Sequence, residues 1–357
     1  MNWGKTAVQN YGPSDAKIMI VGEAPGSDEV DQGQPFVGAS GQLLRRFLKR
    51  AGADPESIYY ANLFPYQPKG NKFDFVAGTD ELNESLENLK KEIIDVNPNI
   101  ILAVGGWPLY YLTNSRADAR NAQPGSGITT WRGSTLPCTL VEGFKCYITY
   151  HPAYIVRPNG YGYNPIFLND LQRAVEESSY RELPWPKYEE IIDPDSNRLG
   201  QLVDELCAAD WLTVDIETFG PKMACIGFTD STNRAVCLTY RKEWQNWEAA
   251  QQILRSKAKK NFQYGLYDIN YLAWFYGWEV ANYAWDTYVA MNNLFPGFPK
   301  TLAFSNSIYC RLPYYKEDRK TWKERQDHDL LFKYNCKDEI SQHTVMLGQR
   351  KDMGYND

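Results

Sequence analysis

The chain has 357 residues, a length that suits two domains, each with a core of its own. A hydrophobic content of 43% excludes a disordered chain, and the longest aliphatic run, Ile100–Val104, is too short to span a membrane. The net charge of −6 argues against a protein that coats nucleic acid through bulk charge, although a local basic groove stays open. Seven scattered cysteines and three histidines indicate neither a disulfide framework nor a zinc site. We therefore expect a cytoplasmic protein with no membrane partner.

The first half of the chain reads as strands alternating with helices. Buried strands are predicted at 17–22, 58–62, 99–104 and 145–150. The first strand enters a Gly/Pro loop at 22–26, which lacks the spacing of a phosphate-binding or dinucleotide-binding loop, so a nucleotide cofactor is not expected. The order of elements predicts a mostly parallel α/β sheet with functional loops at the carboxyl ends of its strands.

A proline-rich stretch divides the chain. Three prolines give residues 181–195 the composition of a stiff linker. The predicted domains are therefore an α/β domain over 1–180 and a second domain over 196–357, whose first helix Ser196 is predicted to cap.

Two carboxylates stand out near the start of the second domain. Asp215 and Glu217 lie two residues apart in the apolar segment 211–218, and side chains at i and i+2 of a strand share a face. Two like charges on a half-buried strand resist desolvation unless a cation or a proton lies between them. A hard divalent metal ion would remove that cost. The alternative interpretation is a strand that emerges into solvent with two exposed acids.

Short basic clusters are candidates for a local nucleic-acid groove. They lie at 45–50, 257–260 and 316–323, and within the last cluster Lys316, Lys320 and Lys323 are the candidate DNA contacts. The alternative is that each cluster is a solvated helix face.

Four acids and a tyrosine recur in three motifs along the second domain. The motifs are Asp215-Ile-Glu-Thr218, Gln263-Tyr-Gly-Leu-Tyr-Asp268 and Tyr334-Asn-Cys-Lys-Asp338. In this order they form a more specific signal than any one motif. From about residue 199 to 347 the chain resembles the proofreading exonuclease domain of family A DNA polymerases, in the tailed-phage branch. The fold that this resemblance implies is a ribonuclease H-like α/β domain with a mixed sheet.

The resemblance implies a centre that uses two divalent ions, Mg²⁺ or Mn²⁺. Asp215, Glu217 and Asp338 would hold one ion, and Asp215 would also hold the second. Asp268 would act chiefly through water. Tyr334 lies four residues before Asp338, so both share a helix face, and Tyr334 would position the attacking water. Two ions roughly 4 Å apart can clamp the attacking and leaving oxygens of a phosphoryl displacement.

Two further positions of the second domain are assigned through the same resemblance. Asp286 lies where the family places a helix-capping aspartate, so it is predicted to be structural. Tyr264 replaces the asparagine usual four residues before Asp268, a change that is expected to weaken a strand contact and to remove no metal ligand.

The first domain carries motifs of another family. Residues 22–26, 35–38 and 59–62, together with His151-Pro152 and Arg157, resemble the uracil-DNA glycosylases. The resemblance covers about residues 16–174 and is nearest to the bacterial and archaeal iron–sulfur group. Its implied fold is a parallel-sheet α/β domain.

The glycosylase resemblance implies a pocket for a base lifted out of the stack. Phe36 would stack on a flipped uracil, Asn62 would hydrogen-bond its pairing edge, and His151 would stabilise negative charge developing on uracil O2. Arg157 is a candidate DNA contact. Ala24 occupies the place of the water-activating aspartate of other glycosylase families, so Glu23 or the backbone would have to serve.

Two departures from the glycosylase pattern bear on activity. No cysteine precedes Cys138, so no iron–sulfur cluster is expected. Ala153 stands where a serine usually follows the His-Pro pair, which removes a hydroxyl that would grip a phosphate. The alternative is a domain that keeps the fold as a DNA-binding or docking module and excises nothing.

Three hypotheses about function follow. The first is a 3′–5′ DNA exonuclease joined to a glycosylase-like domain that binds uracil in DNA, phage-encoded and acting in replication and proofreading in the bacterial host cytoplasm. The second is a bifunctional repair enzyme that excises uracil and then trims the strand. The third is a non-catalytic DNA-binding accessory of a polymerase. The expected partners are single-stranded 3′ ends of DNA and a polymerase, either as a further domain, which does not follow within this sequence, or as a separate subunit.

Overall fold

The structure is a computed structural model that describes residues 2–115, 127–316 and 318–355, without the side chains of 318–320 and 324. The chain divides into two compact units, Met1–Pro184 and Trp185–Asp357. The predicted fold class, two α/β units of which the second has a mixed sheet, is confirmed. No helix among the described residues is both long and apolar enough to cross a membrane.

The first unit is built on a five-stranded sheet of order β3-β2-β5-β7-β6. All neighbours in this sheet run parallel except the edge strand β6, which is antiparallel to β7. A separate antiparallel ribbon joins β1 and β4. The strands are β1 Trp3–Ala7, β2 Ile18–Gly22, β3 Tyr59–Asn62, β4 Tyr66–Pro68, β5 Ile100–Val104, β6 Thr135–Pro137 and β7 Lys145–Thr149.

Helices cover both faces of this sheet. Its central strands are therefore buried along their whole length. The longest of them begins after Thr79, whose hydroxyl accepts from the backbone N–H of Leu82, and ends at Asn97 in the left-handed conformation. The helices are α1 Ser27–Gln32, α2 Ala39–Arg50, α3 Asp80–Val96, α4 Gly106–Thr113, α5 Ile128–Trp131, α6 Pro152–Val156 and α7 Asn164–Glu177.

The second unit is built on a six-stranded mixed sheet of order β13-β12-β9-β10-β11-β8. Its three central strands are antiparallel, and the flanking strands on both sides pair in parallel. The strands are β8 Glu189–Ile192, β9 Trp211–Phe219, β10 Lys222–Thr229, β11 Arg234–Thr239, β12 Lys259–Phe262 and β13 Tyr283–Asp286.

A buried 25-residue helix lies across the central strands of this second sheet. It places the third motif against the strand that carries the first. The helices are α8 Ser196–Ala208, α9 Glu243–Arg255, α10 Leu266–Tyr271, α11 Thr287–Leu294, α12 Leu302–Tyr309, α13 Asp318–Arg325 and α14 His328–Asp352. A π-helical turn, Leu272–Tyr276, continues α10.

The segment between the domains differs from the predicted linker. Within 181–195, Arg181 hydrogen-bonds to Asn97 and Asn99 of the first unit, and Glu189–Ile192 forms the edge strand of the second sheet. The prolines interrupt regular structure only locally, whereas the Glu-Glu-Ile-Ile run has the residues of a half-buried strand. The predicted cap is also displaced by one residue, since Asp195 caps α8 and Ser196 is its first residue.

Candidate functional site

The carboxylates of the first and third motifs meet at one place in the second unit. Asp215 and Glu217 lie on β9 and Asp338 on α14, and one oxygen of each lies within 4.8 Å of the others. Glu217 and Asp338 are buried, and Asp215 is partly buried. The alternative of two solvent-exposed acids therefore does not hold. A set of three carboxylates offers the hard oxygen donors that Mg²⁺ and Mn²⁺ prefer.

The charge of this cluster is costly in the protein alone. Burial raises the pKa of Asp215 well above its ordinary value, and the carboxylates of Asp268 and Asp338 raise it further. Burial likewise raises the pKa of Asp268 to about 8. These shifts describe a site that favours either a proton or a cation between its acids.

Asp268 lies beside the three-carboxylate cluster and not within it. It is 5% exposed near the start of α10, and its Oδ1 accepts from the backbone N–H of Ile216, the residue between Asp215 and Glu217, at 3.3 Å. The hydrogen bond fixes Asp268 against β9.

Tyr334 and Asp338 share a face of α14, as their spacing predicts, and a lysine joins them. The ammonium of Lys316 donates to the Tyr334 hydroxyl at 2.7 Å and to Asp338 Oδ1. The hydroxyl of Tyr315 donates to the same Asp338 oxygen at 2.5 Å. Lys316 was predicted to contact DNA, but in the structure it turns inward to the acid cluster, with 22% of its side chain exposed.

Sequence reasoning missed two side chains of α14 near Asp215, those of Asn335 and Glu339. Asn335 donates to Asp215 Oδ2 at 3.0 Å. Glu339 is fully buried, neither of its carboxyl oxygens has a hydrogen-bond partner among the described residues, and burial raises its pKa well above the ordinary value. Both side chains pack closely against Gly227 of β10. A Cβ added at Gly227 would lie 2.4 Å from Asn335 Oδ1 and 2.7 Å from Glu339 Cγ. Asn335 lies inside the third motif, but its spacing alone assigned it no role.

Asp286 has the capping position that was predicted for it. Its carboxylate accepts from the backbone N–H groups of Tyr288 and Val289 at the start of α11. It also accepts from the backbone N–H groups of Tyr264 and Gly265, in the loop that leads to Asp268. Asp286 is thus a structural acid that ties two segments together.

Several aromatic side chains lie along the helix that carries Asp268 and the π-helical turn that continues it. Tyr267, Tyr271 and Phe275 follow one another at intervals of four, with neighbouring ring centroids 6.3 Å and 4.8 Å apart. Tyr267 and Phe275 are about half exposed, and the adjacent Trp274 is 86% exposed. Tyr271 is only 7% exposed, so the rings that offer stacking surfaces for unpaired bases are those of Tyr267, Trp274 and Phe275.

The first unit has a pocket of about 480 Å³ at the carboxyl ends of its parallel strands. The four predicted pocket residues, Glu23, Phe36, Asn62 and His151, all line it, as do Ala153 and Arg157. Phe36 and Asn62 form a tightly packed wall beside Gly22, where a Cβ would lie 2.7 Å from both side chains. The volume suits a small ligand.

Phe36 is held in an unusual backbone conformation, with φ of 55°. Its ring packs on Tyr60, with the centroids 5.7 Å apart, and its backbone closes on Gly41, where a Cβ would lie 2.1 Å from the Phe36 carbonyl. A non-glycine residue in the left-handed region persists only where the surroundings fix it. The tight packing around Phe36 thus fixes the position of its ring in the pocket wall.

His151 is neutral at the pocket. Its Nδ1 accepts from the backbone N–H of Ala153 at 3.1 Å, so the ring proton of the neutral side chain is on Nε2. Burial, with a smaller contribution from the positive charge of Arg157, lowers the pKa of His151 to about 4. A neutral imidazole with its proton on Nε2 can donate to an oxygen that gains negative charge.

Glu23 lies close to His151, since a Cβ at Gly105 would lie 3.0 Å from Glu23 Oε1 and 3.3 Å from His151 Cβ. Burial, with a smaller contribution from the negative charge of Asp74, raises the pKa of Glu23 to about 7. A carboxyl group with a pKa near neutrality is suited to accept a proton from water.

The remaining basic candidates differ in position. Lys323 is exposed, and the side chain of Lys320 lies outside the described residues. Lys260 of the second cluster is fully buried and donates to the Ser256 and Ala258 carbonyls, so it is not available to a nucleic acid. Arg45 of the first cluster lies over the Tyr60 ring and pairs with Glu56.

The chain is similar to a phage DNA polymerase in sequence and to nucleases in structure. A DNA polymerase of Bacillus phage SP01 is 26% identical over 218 residues, which are 59% of this chain and 22% of the polymerase. The chain thus spans about a fifth of that polymerase's length. Escherichia coli RNase D, an exoribonuclease, is similar in structure with 18% identity and a TM-score of 0.36, over 47% of this chain and 45% of RNase D.

The first unit has nearer relatives. The profile of the uracil DNA glycosylase superfamily matches residues 9–172. A type-4 uracil-DNA glycosylase of Thermotoga maritima is 30% identical over 167 residues, which are 47% of this chain and 80% of that enzyme. Through this first unit, the chain belongs to the uracil-DNA glycosylase superfamily.

Proposed function

We propose that the second unit is a metal-dependent 3′–5′ exonuclease that acts on single-stranded DNA ends, and that the first unit binds uracil in DNA. The observation that carries the nuclease proposal is the convergence of Asp215, Glu217 and Asp338 within 4.8 Å, with Tyr334 beside them. The similarity to a phage DNA polymerase supports a role in replication, with a polymerase as the partner.

The protein's own residues divide the work of such a site. Asp215, Glu217 and Asp338 would hold one divalent ion and Asp215 a second, and the ions would supply positive charge at the attacking and leaving oxygens. The Tyr334 hydroxyl would orient the attacking water. Asp268 would hold a water of the site while its other contact fixes it to β9.

The exposed rings of Tyr267, Trp274 and Phe275 support a single strand as the substrate. Tyr267, which precedes Asp268 in α10, and Phe275 are about half exposed, and Trp274 is 86% exposed. Stacking of a base on an aromatic side chain contributes about 1–3 kcal/mol and does not depend on sequence. Paired bases in a duplex do not expose their faces to such contacts.

The nuclease proposal is tested with an oligonucleotide labelled at its 5′ end and resolved on a sequencing gel. With Mg²⁺ we expect a ladder that shortens one nucleotide at a time from the 3′ end, and with EDTA no ladder. The Asp215→Ala variant should show none with Mg²⁺, and the exposed-acid variant Asp204→Ala should behave as the original protein. Release of the labelled 5′ nucleotide as the first product, or full digestion by Asp215→Ala, would contradict the proposal.

For the first unit we propose uracil binding with weak or absent excision. Phe36, Asn62 and neutral His151 supply a stacking ring, an edge-reading amide and a donor, whereas Ala153 lacks the hydroxyl that grips a phosphate. Active excision is the second candidate, and the Glu23 carboxyl with its pKa of about 7 favours it.

Alkali cleavage separates these two candidates. Asp215→Ala protein, which cannot mask the result by digestion, is incubated with uracil-containing DNA, and abasic sites are then broken with alkali. We expect preferential binding of uracil over thymine DNA and little strand breakage. Rapid breakage over many turnovers would establish excision instead, and equal affinity for the two DNAs would reduce the unit to a general docking module.

A further inference from the structure

The side chain of Lys316 points towards the acid cluster and not into solvent. Its ammonium donates both to the Tyr334 hydroxyl and to Asp338 Oδ1, and it lies 4.7 Å from the centre of the Tyr334 ring and 5.0 Å from that of Tyr315. Two aromatic rings and two oxygens thus surround one charge. Holding a long, flexible side chain in this way costs conformational entropy, which the contacts offset.

The partners of Lys316 have two different tasks in the proposed reaction. Asp338 belongs to the carboxylate cluster, and Tyr334 orients water. A single cation bonded to both fixes the distance between them. The Lys316 ammonium also places one positive charge against the carboxylate cluster.

We propose that Lys316 is a positioning residue of the nuclease centre, an internal cation that holds Tyr334 against Asp338 and balances part of the negative charge of the acid cluster. The inference rests on the proposed nuclease function. It has two consequences of opposite sign. Loss of the lysine should release Tyr334 and slow cleavage, and it should leave the carboxylates more negative and so tighten their hold on divalent ions.

The opposite signs distinguish this role from a structural one. A variant that merely disturbs the fold would weaken metal binding and cleavage together. The test compares Lys316→Met with Lys316→Arg, which keeps the charge, and with Lys333→Met. Lys333 is an exposed lysine on the same helix as Tyr334 and serves as the matched control. Mn²⁺ affinity is measured by calorimetry on the full chain without DNA, and kcat and KM are measured separately with Mg²⁺.

For Lys316→Met we expect Mn²⁺ to bind about tenfold more tightly and kcat to fall about tenfold or more with little change in KM. Lys316→Arg should recover part of kcat, and Lys333→Met should match the original protein in both measurements. Unchanged or weaker Mn²⁺ binding by a folded Lys316→Met protein, as judged by its circular dichroism, would overturn the role of Lys316 alone. If the original protein shows no Mn²⁺ binding that Asp215→Ala removes, the proposed metal centre fails and this inference fails with it.

Discussion

The two candidate sites differ most in the number of acidic side chains that they bring together. The proposed nuclease site gathers four acids, three of them within 4.8 Å. The pocket of the first unit has a ring, an amide and a neutral imidazole beside one acid, Glu23, and one arginine, Arg157. Clustered acids need a cation before they can hold a phosphate, because like charges repel. A pocket for an uncharged base needs shape and hydrogen bonds. One chain therefore carries a site that should depend fully on metal and a site that should not depend on it.

The largest effect that separates the sites is expected from Gly22→Ala. A Cβ there would lie 2.7 Å from both Asn62 Oδ1 and the Phe36 ring, so the wall of the pocket must shift. We expect preference for uracil DNA to fall on the order of 100-fold, equivalent to about 2.7 kcal/mol, while 3′ degradation stays unchanged. Fluorescence anisotropy with uracil and thymine oligonucleotides measures the preference.

Gly162→Ala is the matched control for this substitution. Its Cβ would enter open space in the same unit, so the preference for uracil should not change. A Gly22→Ala protein that still distinguishes uracil from thymine as the original does would show that the pocket is not the uracil site.

Tyr334→Phe should produce a smaller effect, confined to the nuclease site. It removes the hydroxyl that accepts from Lys316 and that would orient water, but it leaves the three carboxylates in place. We expect kcat for 3′ degradation to fall roughly ten- to a hundredfold with an unchanged Mg²⁺ requirement. A loss as complete as that of Asp215→Ala, with metal binding also lost, would mean that Tyr334 supports the cluster itself.

Gly227→Ala tests the support behind Asp215. The added Cβ collides with the Asn335 and Glu339 side chains, and Asn335 can then no longer hold Asp215 as it does. We expect the free energy of unfolding of the second unit to fall by about 1–3 kcal/mol and Mn²⁺ to bind more weakly. Urea denaturation measures the free energy of unfolding, and titration calorimetry measures the affinity for Mn²⁺.

Gly200→Ala, in the same unit, is expected to raise the free energy of unfolding and not to lower it. Gly200 lies in α8 with no atom near the added Cβ, so the substitution should stabilise the helix by about 0.5–1 kcal/mol. If the two glycine variants have equal stability, the crowding at Gly227 is not real.

The smallest effect concerns pH. Because burial lowers the pKa of His151 to about 4, the imidazole should stay neutral from pH 5.5 to 8. A change in affinity for uracil DNA over this range should come from Glu23, whose pKa is raised to about 7, and should persist in His151→Gln. The unfolded pKa is about 6.5, so the contribution of His151 to stability is complete above that value and is lost as the pH falls towards 4. A midpoint near 6.5 in the affinity of the original protein, absent from His151→Gln, would contradict this assignment.

Periodicity predicted where most side chains of the proposed nuclease site lie. The interval of two places Asp215 and Glu217 on one strand face, and the interval of four places Tyr334 and Asp338 on one helix face. Periodicity could not predict the position of side chains that lie in segments without regular structure. Lys316 lies in a stretch without regular structure before α13, so nothing in the sequence indicates that its side chain turns inward. Composition also misled, since the proline-rich segment 181–195 contains an edge strand.

The first unit shows the same division. Its buried strands and the loops at their carboxyl ends follow from apolar runs and from Gly/Pro residues. The left-handed backbone of Phe36 and the hydrogen bond that fixes the His151 tautomer depend on tertiary packing. Such features become visible only when the surrounding atoms are placed.

The most direct test of the central claim is anomalous diffraction from crystals of the protein soaked in Mn²⁺. We predict a manganese peak about 2 Å from oxygens of Asp215, Glu217 and Asp338, and no peak in the pocket that Phe36, Asn62 and His151 line. The same soak of Asp215→Ala crystals should lose the peak. Manganese bound in the first-unit pocket, or its absence from the three carboxylates at saturating Mn²⁺, would contradict the account.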